Sequence, residues 1–387
     1  MNEKERMIAV YEGRPADRPP VVSPYQRLYF KDHFAELSGE PQWRMHQWLA
    51  AEPEEHIDIY AGLMEQAPFE AVDAFTFCAP RQVRERTEFI EQGGKIYRTD
   101  TKTGAKSLIG ECVSGHASDY THSRKRTVFS RDDIEKAVTV EKAEEILESG
   151  KCDYALAALN RWGNERFIYT GSVVSPFYMC THYLGFEGLF TSMITEPDLV
   201  EHLMDRLLDM RIEHVRAMAA CGGHAVYIDD ATATNDMISV EQYRRFSKPR
   251  VTALTDEIHR LGLKAMVIYF GGVMDRLEDI AETGADAITM EATMKGFSND
   301  VAETAERIGN RMAVYGNINP VTVLRNGTDE KVKTEIETQI RAGKQARGFI
   351  LSTGSPVTPS TPADRIRLFV ETGRKIGREI YSEKADD

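Results

Sequence analysis

With 387 residues and 42% hydrophobic content the chain has material for a large core, and the length admits two domains or one α/β barrel of about 250 residues with insertions. A formal net charge of −13 repels a phosphate backbone, so nucleic acid is not an expected partner, and the short run Arg124-Lys125-Arg126 reads as a solvated loop. No apolar run approaches the roughly 18 residues of a membrane span, residues 1–6 lack signal-peptide character, and five cysteines without C-x-x-C spacing argue against a disulfide framework or a cysteine-rich zinc site; the expectation is a cytoplasmic protein with reduced thiols.

In chain order, a short amphipathic helix forms an N-terminal extension. The segment Arg14-Pro-Ala-Asp-Arg-Pro-Pro20 then leads into a strand at Val21-Val22. Between about 31 and 165 the pattern loosens. Phe75-Thr-Phe77 is taken as the second strand. A polar hairpin with turns at Gly93-Gly94 and Thr103-Gly104 opens an insertion over 89–130 near the barrel mouth, as a lid or a surface flap. Residues 134–149 follow as a charged helix, and Phe167-Ile-Tyr-Thr-Gly171 as the third strand. Leu199, Leu203, Leu207, Met210, Val215 and Met218 mark one long helix over 196–221, stopped by Gly222-Gly223. The next apolar run is Ala225-Val-Tyr-Ile-Asp-Asp230. Ser239-Val-Glu-Gln242 has capping-box form and starts a helix that should kink at Pro249. Further runs begin at Ala265, Ala287, Met312 and Phe349, and Thr361-Pro362 caps the last helix. Short apolar strands alternating with helices mean βαβ units, and eight of them make a single-domain (β/α)8 TIM barrel over residues 1–387.

Barrel function collects where strands end. The residues there are Asp229, Asp230, Tyr269, Glu291, Asn317 and Ser352. Side chains alternate along a strand, so only one of Asp229 and Asp230 can face the mouth; the pattern leaves open which, and the other ties down a loop. Glu291 is either a site residue or the salt-bridge partner of Lys295. Asn317 could contact substrate, whereas Asn319 shapes the turn before Pro320. Ser352 and Ser355 offer hydroxyls near the mouth. Tyr25, Arg27, Tyr178 and Tyr183 could line an aromatic pocket, although tyrosines so spaced are more often core. Cys180 and His182 do not make a dyad and are taken as packing, as are Met204, Met210 and Met218; His224 falls at the bottom of the barrel.

Tyr227-Ile-Asp-Asp-Ala231 with Ile238-Ser-Val-Glu-Gln-Tyr243, Gly316-Asn-Ile-Asn-Pro320, and Gly348-Phe-Ile-Leu-Ser-Thr-Gly354 followed by Thr361-Pro362 resemble, as a set, the uroporphyrinogen decarboxylase superfamily. The likeness extends to Glu12-Gly-Arg-Pro-Ala-Asp-Arg-Pro-Pro20 and Tyr183-Leu-Gly-Phe-Glu-Gly188. It implies a (β/α)8 barrel with one of two activities: decarboxylation of uroporphyrinogen, or methyl transfer to or from a corrinoid protein. The decarboxylases carry paired arginines after the first strand for bidentate carboxylate binding; here Ser23-Pro-Tyr-Gln-Arg-Leu-Tyr29 keeps Arg27 alone, and the late histidine is missing from Ser352-Thr-Gly-Ser-Pro356. Thiol-directed methyltransferases of the superfamily hold zinc with one histidine and two cysteines; the matching positions are Ile268, Phe270 and Ser355, which cannot form that site. What remains resembles the divergent methyltransferases that open O- or N-demethylation systems, whose insertion is similar to Gly94-Lys-Ile-Tyr-Arg-Thr-Asp-Thr-Lys-Thr-Gly104.

The resemblance therefore implies methyl transfer from a small donor, a methoxylated aromatic or a methylated amine, to a corrinoid (cobalamin) carried by a corrinoid-binding protein. An alkoxide is a poor leaving group and needs a proton or a Lewis acid. Asp229, Asp230 or Glu291, assisted by Tyr269, is expected to donate it, with Tyr25, Arg27, Tyr178, Asn317, Ser352 and Ser355 contacting substrate. A hard-oxygen metal at the same carboxylates would need a further ligand that the sequence does not identify. Two alternatives stand beside this reading: a uroporphyrinogen-decarboxylase-like lyase on another carboxylated substrate, and a non-catalytic binding barrel. An open funnel at the mouth favours the first, and a mouth plugged by aromatic side chains the last. The oligomeric state is left open, a homo-oligomer included.

Overall fold

The computed structural model describes residues 1–74, 77–110, 125–294 and 296–383. Eight parallel strands form the barrel: β1 (Val21–Val22), β2 (Ala71–Asp73), β6 (Phe167–Val174), β7 (Ala225–Asp229), β8 (Lys264–Tyr269), β9 (Ala287–Met290), β10 (Ala313–Tyr315) and β11 (Phe349–Ser352). A separate antiparallel sheet is made by β3 (Thr87–Gln92), β4 (Lys95–Asp100) and β5 (Lys106–Gly110). The ladders run β1-β11-β10-β9-β8-β7-β6-β2. The seam between β1 and β2 is closed by Glu70, whose amide donates to the Val21 carbonyl at 3.0 Å and whose carboxylate accepts from the Val21 amide at 2.9 Å. Arg18 and Arg374 bind that same buried carboxylate, at 2.5 and 2.8 Å.

Alternation along the strands sorts the core into two layers. Inside the barrel lie Phe167, Tyr169, Tyr227, Met266, Ile268 and Tyr315. Between strands and helices lie Val226, Ile228, Val267, Tyr269, Ile288 and Leu351. The N-terminal helix Glu3–Tyr11, held by an Asn2–Glu5 capping box, brings Tyr11 into the interior, where its hydroxyl meets that of Tyr315 at 2.9 Å and its ring stacks on Phe167.

Three expectations shift. The second strand is Ala71–Asp73 rather than the run from Phe75; Phe75 and Thr76 lie outside the described residues. The helix expected over 134–149 is two, Arg131–Ala137 and Ala143–Glu148. The break falls at Val138, extended at ψ 95°, which opens the β-branched Val138-Thr-Val140 stretch, a poor helix former. The irregularity expected at Pro249 is a π-turn, Tyr243–Ser247, just before it, so that Pro249 sits in the first turn of helix Lys248–Arg260, where its missing N–H is harmless. Among the described residues no helix is long and apolar enough to cross a membrane.

Candidate active site

The C-terminal ends of the strands bring Tyr25, Asp73, Asp229 and Glu291 to one end of the barrel. Tyr25 precedes helix Gln26–Asp32 in the left-handed region, at φ 51°, a conformation that costs a non-glycine residue about 1–2 kcal/mol. That bend turns the ring over the mouth. It packs edge-on against Tyr227 and beside Phe270, at 5.3 and 5.9 Å between centroids, and its hydroxyl donates to Asp229 Oδ2 at 2.6 Å.

Asp229 shares the inward register of Ala225 and Tyr227. Its other oxygen accepts from the Ala231 amide at 3.2 Å. Burial pushes its carboxyl up to about 6, against the lowering pull of the Tyr25 hydroxyl. Asp230 points the opposite way. It is fully buried behind the strand, where Ser175 and Ser247 each donate to it at 2.6 Å, and burial raises it to about 6 as well. Tyr269 lies in the same outer layer, its hydroxyl 3.1 Å from that of Tyr243. Strand alternation settles which aspartate faces in: it is Asp229, while Asp230 ties helices to the barrel's outside; Tyr269, expected to assist the acid in the mouth, is corrected to that same outer layer.

Asp73, which the sequence reading did not single out, lies below Tyr25. It accepts from the Tyr227 hydroxyl at 3.0 Å, and Arg27 Nε stands 3.7 Å away. Burial raises the Asp73 carboxyl while Arg27 lowers it. Its second oxygen, Oδ1, is buried and has no hydrogen-bond partner among the described residues. Asp73 borders a cavity of about 20 Å³ with Tyr25, Tyr227, Tyr169 and Ser23, room for about one water. The signal was hidden because the second strand was placed too late, on Phe75-Thr-Phe77.

Two strands from Asp229, Glu291 follows β9 at the inward register, with Ser355 Oγ 3.4 Å from its Oε1. Lys295, the expected partner, lies outside the described residues. Asn317 does not present its side chain to substrate, as had been expected. Its Nδ2 donates to the carbonyls of Asn299 and Glu291 at 2.8 and 3.3 Å, and its Oδ1 accepts from Gln339 at 3.2 Å. Its amide is consumed in holding the loops. Ser352 is fully buried and donates to the Thr353 carbonyl at 3.0 Å, which likewise removes it from the mouth. Asn319 caps the segment after it, accepting from Val321 and Thr322 amides. Tyr178 stands half-buried on the rim, in the first turn of helix Pro176–Thr195 that Ser175 caps. His224 accepts from the Ile168 amide at the opposite end of the barrel.

Among the described residues no three His, Cys, Asp or Glu side chains converge as metal ligands. Burial thus holds the Asp229 carboxyl at about 6, and Arg27 stands beside a second carboxyl, that of Asp73.

A family model for uroporphyrinogen decarboxylase (URO-D) matches residues 116–376, about two thirds of the chain. The chain belongs to the uroporphyrinogen decarboxylase family. It is 26% identical over 254 residues to a methylcobamide:CoM methyltransferase of Methanosarcina mazei, covering 65% of this chain and 70% of that one. It is 31% identical over 186 residues to the uroporphyrinogen decarboxylase of Microcystis aeruginosa, covering 47% and 49%. A solved methyltransferase structure from Methanosarcina mazei superposes with a TM-score of 0.68 at 20% identity, covering 97% of this chain and 99% of that one; at that identity the likeness establishes the shared TIM barrel. Arg27, expected to contact substrate, is paired instead with Asp73.

Proposed function

We propose that this barrel moves a methyl group from a small methylated donor to the cobalt of a corrinoid carried by a separate protein, with Asp229 as the acid. The observation that carries the reading is the placement of Asp229: inward at the end of β7, beneath Tyr25, with a carboxyl raised to about 6 by burial. The methylcobamide methyltransferase relative supports methyl chemistry in this fold. For an ether donor the C–O bond breaks as the reduced cobalt takes the methyl group, and the departing oxygen takes the proton from Asp229. Tyr25 orients that carboxyl, Glu291 with Ser355 holds the donor from two strands away, and Tyr178 forms part of the rim. The rim is where the corrinoid-binding protein docks.

The non-catalytic reading draws support from one observation, the ring of Tyr25 lying across the mouth against Phe270 and Tyr227. Mixing the protein with reduced corrinoid and a panel of methoxylated aromatics and methylated amines separates the two. Methyl transfer predicts growth of the methyl-cobalt absorbance with at least one donor and its loss in Asp229→Asn. A flat trace with every donor supports a binding barrel.

A further inference from the structure

Helix Pro197–Ala220 carries an arginine in a place that costs stability. Arg211 is only 9% exposed, and no carboxylate among the described residues lies within ion-pair distance of it. Its contacts are all uncharged. Nε donates to the Val174 carbonyl at 3.1 Å, Nη1 meets His214 Nδ1 at 2.8 Å, and Nη2 points at the Met179 sulfur at 3.2 Å. His214 is neutral, because burial and then the Arg211 charge itself lower its pKa to about 3. A desolvated guanidinium with only a carbonyl, an imidazole nitrogen and a thioether is undercompensated, since such a cation ordinarily takes a carboxylate or phosphate in fork geometry. Arg276, more deeply buried in the same protein, does have one, Asp275 at 2.9 Å.

The location gives the charge a use. Val174 ends β6 and is the register partner of Asp229. Met179 is in the first turns of the helix that carries Tyr178, on the rim. Asp229 is the carboxylate whose charge acts on Arg211. The cation therefore sits at the same end of the barrel as the proposed acid, one strand away.

We propose that Arg211 is the anion-binding subsite of the donor pocket, and that the donor carries a carboxylate or similar planar anion. This rests on the methyl-transfer reading for the word donor, but binding can be measured without any corrinoid. The probes are 4-methoxybenzoate and its neutral counterpart 4-methoxybenzamide, titrated calorimetrically into wild type, Arg211→Met and Arg211→Lys. The expected result is at least a tenfold preference of wild type for the benzoate, a preference abolished in Arg211→Met and partly kept in Arg211→Lys. Thermal unfolding without ligand provides a second readout. An undercompensated cation predicts that Arg211→Met melts at or above the wild-type temperature, whereas an arginine held by the fold predicts a lower one. Equal binding of acid and amide, binding of neither, or a preference that survives Arg211→Met overturns the subsite. If the benzoate preference holds while no methyl reaches cobalt, the subsite stands and methyl transfer fails.

Discussion

Asp229 and Asp230 are neighbours with nearly the same raised acidity, yet their surroundings assign them different work. Both are pushed to about 6 by burial. The native state thus binds protons more tightly than the unfolded chain, and stability falls as pH rises from about 4 to about 6. In the proposed reaction this cost at Asp229 maintains the proton donor. In Asp229→Asn the melting temperature at pH 7.5 should stay level or rise while methyl transfer is lost. Asp230→Ala leaves the Ser175 and Ser247 hydroxyls buried without their acceptor and should cost about 2 kcal/mol or more in denaturant titrations. Tyr25 tunes the first aspartate. Its hydroxyl lowers the Asp229 pKa, so Tyr25→Phe should raise that pKa and move the alkaline limb of the pH–rate profile upward by about one unit. An unmoved limb would separate Tyr25 from the acid. The pair was legible in sequence as two carboxylates at a strand end, but which one faced inward required the register. Arg211 was illegible for another reason: one arginine on a long amphipathic helix reads as a solvated face until packing shows that it is buried.

At the scale of elements, the strand ends are positioned by close backbone approach. A Cβ added at Gly354, after β11, would fall 2.3 Å from the Ala292 nitrogen, after β9. Those two loops carry Ser355 and Glu291. Gly354→Ala should therefore push them apart, lowering stability by about 1–3 kcal/mol and raising KM for the donor, which thermal melts and steady-state kinetics would read. Unchanged KM would mean that the Glu291–Ser355 contact does not hold substrate. Asn317, Asn299 and Gln339 brace the same ends from behind. The late strands were readable because each is an apolar run between helical patterns. Strand β2 was not, because Ala71–Asp73 is three residues long and includes a carboxylate, so the louder Phe75-Thr-Phe77 alternation drew the assignment. The segment over 134–149 misled in the opposite sense, its charges suggesting one helix where Val138 ends the first.

For the molecule as a whole, the barrel's seam is bridged by one residue, Glu70, through its amide and its buried carboxylate. Glu70 bridges β1 to β2 and is bound by Arg18 and Arg374. Burial works to raise its pKa, but the Arg18 contacts outweigh it and hold the carboxyl below its usual range. Its stabilisation is therefore present above about pH 4.5 and lost as pH falls below that, the reverse of Asp229. Glu70→Ala strands Arg18 in a buried site and should cost about 3–5 kcal/mol, with activity lost through the seam rather than the chemistry; a small change in melting temperature would mean that the ladders alone close the barrel. Seven of the eight barrel strands could be read from the chain in their order, whereas this clasp, joining residues far apart in sequence, could not. The proposed role of Asp229 is to supply the proton for methyl transfer to cobalt. Its most direct test is the single-turnover rate of methyl-cobalt formation from an ether donor between pH 5 and 8, in wild type and Asp229→Asn. The expected rate falls about tenfold per pH unit above about 6 and drops by roughly 10²–10⁴ in the variant. A rate flat across that range, or an unimpaired variant, would contradict it.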